Sequence, residues 1–316
     1  MINPDNRIVT VFGGDGFIGR YVCEQLFKRE LRVRVACRDP RTAYFLQPLA
    51  RVGNLGIVRA DVADADRVRA VVEDSSAVIN LAGTFTGSLH GTHVEGAKNI
   101  AEAARDCGAQ SLVHISAIGC DPGSPSVYGR TKAQGEAAIR DAFPAATIIR
   151  PSVVFGPEDN LTNRLAGLSR LPLLPVVAAK RQFQPVYVKD VAKAIAMAAL
   201  EPGRFGGKTF EIGGPQVMTM EDIYALSARA AGNEPDLVQL PNIASAFLSL
   251  FGFLPGAPIT RDQWKMLQSD NLPAAGSQGL EAFGIEPTAL ESVAIEWLSR
   301  FRQGGRWMSR EARLAG

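Results

Sequence analysis

The feature that most limits what this chain can fold into is a turn near its start. Directly after the apolar run RIVTVF (7–12) the sequence reads GGDGFIGRYV, so Gly13, Gly16 and Gly19 fall three apart between a strand pattern and a helix pattern. A tight strand-to-helix turn needs a residue free to take positive φ, an approaching diphosphate needs backbone with no side chain in the way, and the helix must press closely on the sheet. Three glycines at this spacing meet those three needs, whereas Gly14 has no separate role in such a scheme. The free N–H groups of the first helical turn, at the positive end of the helix dipole, then face an anion. A glycine triplet alone is weak, but one set between a strand and a helix predicts a dinucleotide on a Rossmann turn.

The rest of the first half has the matching rhythm. Short β-branched runs at 7–12, 31–37, 55–60, 77–82, 111–116 and 147–151 alternate with helical segments such as FIGRYVCEQLFKR, DADRVRAVVED and GTHVEGAKNIAEAARDCG, the last ending on Gly108 in a C-cap position. Strands alternating with helices read as βαβ units, and six of them suffice for an α/β, doubly wound parallel sheet. After about residue 151 the pattern turns irregular, punctuated by Pro157, Pro172, Pro175 and Pro185. A strand-like run, KTFEIGG, then precedes a helix that Thr219 can cap with Asp222 three residues on. The expected organisation is a dinucleotide-binding domain over 1–155, a smaller substrate or partner lobe over 156–302 interleaved with the last Rossmann elements at about 183–215, and a polar, arginine-rich tail at 303–316, expected to be mobile.

Choice of dinucleotide is made at the end of the second strand, where an acid accepts the ribose hydroxyls of NAD and an arginine pairs with the 2′-phosphate of NADP. Cys37-Arg38-Asp39 stands there. Arg38 comes first, with a planar fork of donors suited to phosphate, so NADP(H) is preferred; Asp39 leaves NAD(H) open. After the fifth strand, Tyr128 and Lys132 lie four apart at the start of a helix pattern, which stacks both on one face. In carbonyl reduction a phenol donates a proton as hydride arrives, and a nearby ammonium is expected to lower its pKa from about 10. Ser116, at the strand's carboxyl end, is placed to polarise a carbonyl, with Ser124 and Ser126 as rivals. A Tyr-xxx-Lys match arises often by chance, and its presence is not proof of turnover.

Composition narrows the partners. With 34 Lys and Arg against 32 Asp and Glu, the chain lacks the basic footprint that phosphate-backbone binding requires, so no nucleic-acid partner is expected. Four cysteines occur singly beside only three histidines, which suggests neither a metal site nor a disulfide framework and fits a reducing compartment. The N-terminus lacks a signal pattern, and no apolar run approaches the roughly 18 to 20 residues of a spanning helix, so the expectation is a cytoplasmic protein with at most a peripheral membrane contact. The most apolar stretch, 242–259, carries Phe247, Leu250, Phe251 and Leu254 at helical spacing; it reads first as lobe core and second as a docking surface. The arginines at 300, 302, 306, 310 and 313 read as a solvated charged end, with an acidic partner or anionic lipid as the sharper alternative.

These motifs, with IIRPSVVFGP (148–157) and PVYVKDVAKAI (185–195), resemble the extended and atypical short-chain dehydrogenase/reductase superfamily over about the first 215 residues. VFGGDGFIGRYV, FPAATIIRPSVVFGPEDNLTNRLA and RQFQPVYVKDVAKAI are similar, more narrowly, to the NADPH-binding accessory subunits of respiratory complex I and their bacterial relatives, as are the distal ITRDQWKMLQSDN and LEAFGIEPTALESVAIEWLSRFR. That resemblance implies a nucleotide held structurally, with complex I subunits as partners at the inner face of the plasma membrane. It implies that Gly13, Gly16, Phe17, Ile18, Gly19 and Arg38 contact the cofactor. It further implies that Asp61 and Val62 flank the adenine, that Leu81, Ala82 and Gly83 lie under the diphosphate and ribose, and that Pro151 and Val153 bound the nicotinamide. The retained Tyr128–Lys132 pair keeps NAD(P)-dependent oxidoreductase chemistry through Ser116, Tyr128 and Lys132 open. The short Ser116-to-Tyr128 segment leaves little room for the active-site loop of sugar-nucleotide enzymes.

Overall fold

β1 (Ile8–Phe12) lies between β2 (Arg32–Cys37) and β4 (Ser75–Asn80), and that placement builds the sheet. The computed structural model of the protein describes residues 8–241 and 260–302. Beyond β2 comes β3 (Leu55–Arg59); beyond β4 come β5 (Ser111–Ile115), β6 (Thr147–Pro151) and a seventh strand, Thr209–Ile212. Every pairing in this sheet is parallel. A parallel sheet is covered on both faces, and its central strands show it: all five residues of β5 are buried, while the edge strand β3 has none buried. The expected doubly wound α/β fold is therefore present, with the strand order reversing beside β1.

α1 (Phe17–Phe27) packs with the helix Val188–Leu200 on one face. α2 (Ala65–Val72), α3 (Gly96–Asp106) and α4 (Val127–Ala142) cover the other, where Val68, Val72, Ile100, Ala104, Leu112, Ile139 and Ile148 form one buried cluster. Two local departures from expectation matter for the site. β4 begins two residues earlier than the apolar run suggested and stops at Asn80, whose Oδ1 accepts the Ala82 N–H at 3.0 Å and turns Leu81–Gly83 out of the sheet. The stretch expected as one helix from Gly91 opens instead as a π-helical turn, Gly91–Glu95, before α3 begins. π-turns concentrate at functional sites. This one carries His93.

The described chain forms two compact units. The first comprises 8–151, 188–212 and 273–286, the last a return that no sequence pattern announced. The second comprises 152–187, 213–241, 260–272 and 287–302. It is built from paired two-residue and four-residue strands and the helices Leu161–Leu168 and Met220–Ala230, around Leu165, Val176, Phe183, Met220 and Ile223. Thr219 and Asp222 form the expected capping box at the start of the second helix. Phe155 stacks between Tyr187 and Trp297 in the same unit. Among the described residues no helix is long and apolar enough to cross a membrane. The segment 242–259, with Phe247, Leu250, Phe251 and Leu254, lies outside the described residues, as do the tail 303–316 and its Arg306, Arg310 and Arg313.

Candidate functional site

The glycine turn is packed so tightly that its sequence becomes a steric necessity. Gly13 takes φ +74°, and a Cβ there would stand 3.0 Å from the carbonyl of Leu81. Its N–H donates to Ala36 O at 3.1 Å and its carbonyl receives Gly16 N–H at 3.0 Å, so the turn is tied to β2 and closed on itself. Gly14, with no role in the sequence reading, proves to be small for a reason: a Cβ would press on both Val35 methyls and on Cys23 Sγ within 3.2 Å. Gly16 occupies the N-cap of α1 with no side-chain acceptor, and the first turn of the helix carries no acid. Its orphan N–H groups are left for a ligand.

A cavity of about 210 Å³ opens above this turn. Of the residues expected at the cofactor, it is lined by Gly13, Gly16, Arg38, Asp61, Val62, Leu81, Ala82 and Gly83. Phe17, Ile18 and Gly19 lie one step back, in the first turn of α1. Pro151 ends β6, its carbonyl receiving Ile118 N–H at 3.1 Å. Val153 belongs to the second unit and packs against that unit's core. Sequence reasoning missed Asp15, Ala36, Cys37, Ala60, Thr84 and Thr92, which also line the cavity. Asp15, inside the glycine turn, was the legible one; its carboxylate accepts from Thr42 Oγ1 at 2.7 Å.

The two residues that decide between dinucleotides are used very differently. Arg38 is exposed at the end of β2 and faces the cavity. Asp39 caps the 3₁₀ helix Pro40–Leu49 through Arg41 N–H and is gripped side-on by the Arg41 guanidinium, at 3.0 Å from Nε and 2.7 Å from Nη2. Those contacts with Arg41 hold its carboxyl down at about 2.

At the other end of the strand tips stand Ser116, Tyr128 and Lys132. Ser126 is the N-cap of α4, accepting Gly129 N–H at 3.2 Å, and Ser124 Oγ accepts Ser126 N–H at 3.3 Å, so both rivals of Ser116 are engaged in starting the helix. Ser116 is buried, with the Cys120 thiol as its polar neighbour. Lys132 is buried as well, its Nζ donating to Ile115 O at 2.7 Å, and burial brings its pKa down to about 8. The expectation that the ammonium would draw the phenol down is not met: burial, then the Cys120 thiol, push Tyr128 above the ordinary phenol range. The ring of Tyr128 is stacked under Phe85 at 4.5 Å and meets His93 edge-on at 5.2 Å.

The residues present fit a dinucleotide on two observations. A cradle that side chains would fill is kept open by glycines, and α1 starts at its edge with no side-chain cap and no acid in its first turn. Residues 9–213 match the NAD dependent epimerase/dehydratase family. The chain is 34% identical to the rat mitochondrial NADH dehydrogenase [ubiquinone] 1 alpha subcomplex subunit 9, over 96% of its own length and 82% of that protein's. It is 28% identical to a ceramide reductase of Caulobacter vibrioides, over 82% of each chain. Among solved structures, the Escherichia coli NADPH-dependent quinone oxidoreductase QOR2, in complex with NADPH, superposes with a TM-score of 0.74 at 19% identity, covering 91% of this chain and 99% of that one.

Proposed function

This chain belongs to the NAD dependent epimerase/dehydratase family, and from that premise we propose that it holds NADP(H) and serves as a nucleotide-carrying structural or assembly component beside the subunits of a respiratory NADH dehydrogenase. The observation that carries the nucleotide choice is the division between Arg38 and Asp39. The arginine is free to turn its fork toward a 2′-phosphate at the rim of the cavity, while the acid that would accept ribose hydroxyls is already neutralised by Arg41. Asp61 and Val62 then flank the adenine, Gly13, Gly16 and the first turn of α1 take the diphosphate, and Leu81–Gly83 run beneath it. The structural role is supported by the likeness to the rat subunit, which runs through both units of the chain and beyond the nucleotide motifs. Such a component sits at the inner face of the plasma membrane in peripheral contact.

Purified protein is expected to carry NADPH and to exchange it slowly, as read by chromatography of the denatured protein and by titration after stripping. Arg38→Ala should weaken NADPH binding by about 10- to 100-fold, the worth of charge-assisted hydrogen bonds at about 1.5–3 kcal/mol, and leave NADH binding unchanged. Equal losses for both dinucleotides would remove Arg38 from the 2′-phosphate.

A second reading, NADP(H)-dependent reduction of a carbonyl, is favoured by the half-buried Tyr128 with the buried Lys132 four residues on, and by the likeness to the ceramide reductase. A bound nicotinamide would supply the hydride; of this chain's residues, Tyr128 would give its proton to the carbonyl oxygen and the Lys132 ammonium would stabilise the phenolate left behind. Because only the protonated lysine helps, carbonyl-dependent NADPH oxidation should fall as pH rises through about 8. Tyr128→Phe should cost about 10²- to 10⁴-fold in that rate. No NADPH oxidation with a panel of ketones, aldehydes and quinones would retire this reading and leave the structural one.

A further inference from the structure

The loop after β4 and the π-turn before α3 meet at one side chain, His93. Buried to 1% exposure, it accepts the Thr84 N–H on Nε2 at 3.1 Å. Receiving a backbone N–H leaves the ring proton on Nδ1, which lies 2.9 Å from Thr131 Oγ1 and donates to it; that hydroxyl in turn donates to Tyr128 O at 3.1 Å. One neutral imidazole thus grips the loop with one nitrogen and the first turn of α4 with the other. Its backbone is held as firmly: a Cβ on Gly135 of α4 would stand 2.0 Å from His93 O, so the π-turn and α4 are in main-chain contact.

What the loop carries is Phe85. Thr84 Oγ1 donates to Thr86 O at 2.7 Å and receives Thr86 N–H at 3.1 Å, so Thr84–Thr86 is a closed unit. It is bounded by Gly83 and by Gly87, which takes φ +75° with open space around it. That unit lays the Phe85 ring on the Tyr128 ring, nearly parallel at 12°, with the outer side of Phe85 exposed at 58%. A single exposed phenylalanine needs no explanation. One laid flat on the Tyr128 ring by a three-residue unit between two glycines does.

We propose that His93 is the positioning residue of the Tyr128 site: through Thr84 it latches Phe85 as a cover over the phenol ring, and through Thr131 it fixes the turn that presents Tyr128. Any group that reaches the Tyr128 ring face displaces Phe85, and the Thr84–Thr86 unit moves as one body about Gly83 and Gly87 when it does. The inference rests on the reading of Tyr128 as part of the nucleotide site, but its test is read from Tyr128 directly.

The test is site-resolved nitration of the full chain by tetranitromethane, with peptide mass spectrometry comparing Tyr128 against Tyr44, an exposed tyrosine in the 3₁₀ helix after β2. In the unaltered protein Tyr128 should react far more slowly than Tyr44. Phe85→Ala and His93→Phe should each raise the Tyr128-to-Tyr44 ratio several-fold, the second although it keeps an aromatic ring at the same place. His93→Gln, whose amide oxygen can receive Thr84 N–H, should stay near the original ratio, which a loosened helix would not explain. Should His93→Phe fail to fold, Thr131→Val, lacking the hydroxyl that receives Nδ1–H, carries the same expectation. A ratio unmoved by Phe85→Ala overturns the cover; one raised by Phe85→Ala but unmoved by His93→Phe and Thr131→Val overturns the latch. NADPH titration of the same samples separates the two ideas. Protein that shows the nitration pattern but binds no dinucleotide retires the nucleotide reading alone, and protein that binds NADPH with Tyr128 equally reactive in every variant retires the latch alone.

Discussion

Gly19→Ala should abolish measurable NADPH binding while the chain still folds, with affinity reduced by about 100-fold or more, equivalent to about 2.7 kcal/mol. The opposing effect is known in size: alanine is favoured over glycine inside a helix by about 1 kcal/mol, so on propensity alone the substitution would stabilise α1. Geometry decides against it. The new Cβ would stand 2.2 Å from Gly13 O and 2.6 Å from Gly14 Cα, both main-chain atoms that no rotamer can move. α1 must therefore back away from the turn, and the N–H groups of its first turn move with it. Isothermal titration of the stripped protein with NADPH, beside a thermal melt of the apo form, reads both halves of the expectation. Affinity within about three-fold of the original, a difference of about 0.7 kcal/mol, would mean that the turn does not set the diphosphate site.

The same turn shows why so much of the fold was legible. Strand spacing, the glycine triplet and the Thr219–Asp222 capping box are local signals, each written within a few consecutive residues, and the doubly wound sheet follows from repeating them. Arg38 and Tyr128 with Lys132 were nameable because each stands a fixed distance past a strand. What stayed hidden depends on contacts between distant segments. Nothing in GTHVEG separates a π-turn from a first turn of α-helix, and so nothing marks His93 as different from a surface histidine; the residue its backbone packs against, Gly135, is 42 residues away. Phe85 reads as a loop aromatic until the ring it covers is in view. The Tyr128 phenol departs from expectation for a related reason: helical spacing places Lys132 on the same face but says nothing of how the ring is packed, and burial, then the Cys120 thiol, push the phenol up. The return of 273–286 to the first unit has no hydrophobic period to announce it; a carboxylate, Glu211, receives Ala274 N–H at 2.7 Å, and the Glu211 N–H donates to Gln278 O.

That carboxylate belongs to the group whose disruption should cost the fold most. Arg150, on β6, lays its guanidinium on Glu136 of α4, with Nε 2.9 Å from Oε1 and Nη2 2.7 Å from Oε2, and reaches Glu211 through Nη1 at 3.1 Å. The Glu136 side chain is 6% exposed and that of Glu211 13%, so Arg150→Met would strand two poorly solvated carboxylates beside one another. Replacing an entire buried ion group by apolar residues can be neutral, but removing one partner typically costs about 3–5 kcal/mol. Since the arginine itself keeps some exposure, the lower end of that range is the expectation, seen as a fall in urea midpoint. The deficit should narrow on acidification, because protonating either stranded carboxylate removes the charge that burial penalises. Arg150→Lys should fall between the two: it restores a positive charge but cannot engage Glu136 with two parallel bonds and Glu211 with a third. The loss reaches the site as well, since Glu136 sits one turn beyond Lys132 on α4 and the Arg150 fork is what pins that face of the helix to the sheet. A melt of Arg150→Met within about 1 kcal/mol of the original would mean that the group is screened well enough to be a surface pair, whose usual worth is no more than that.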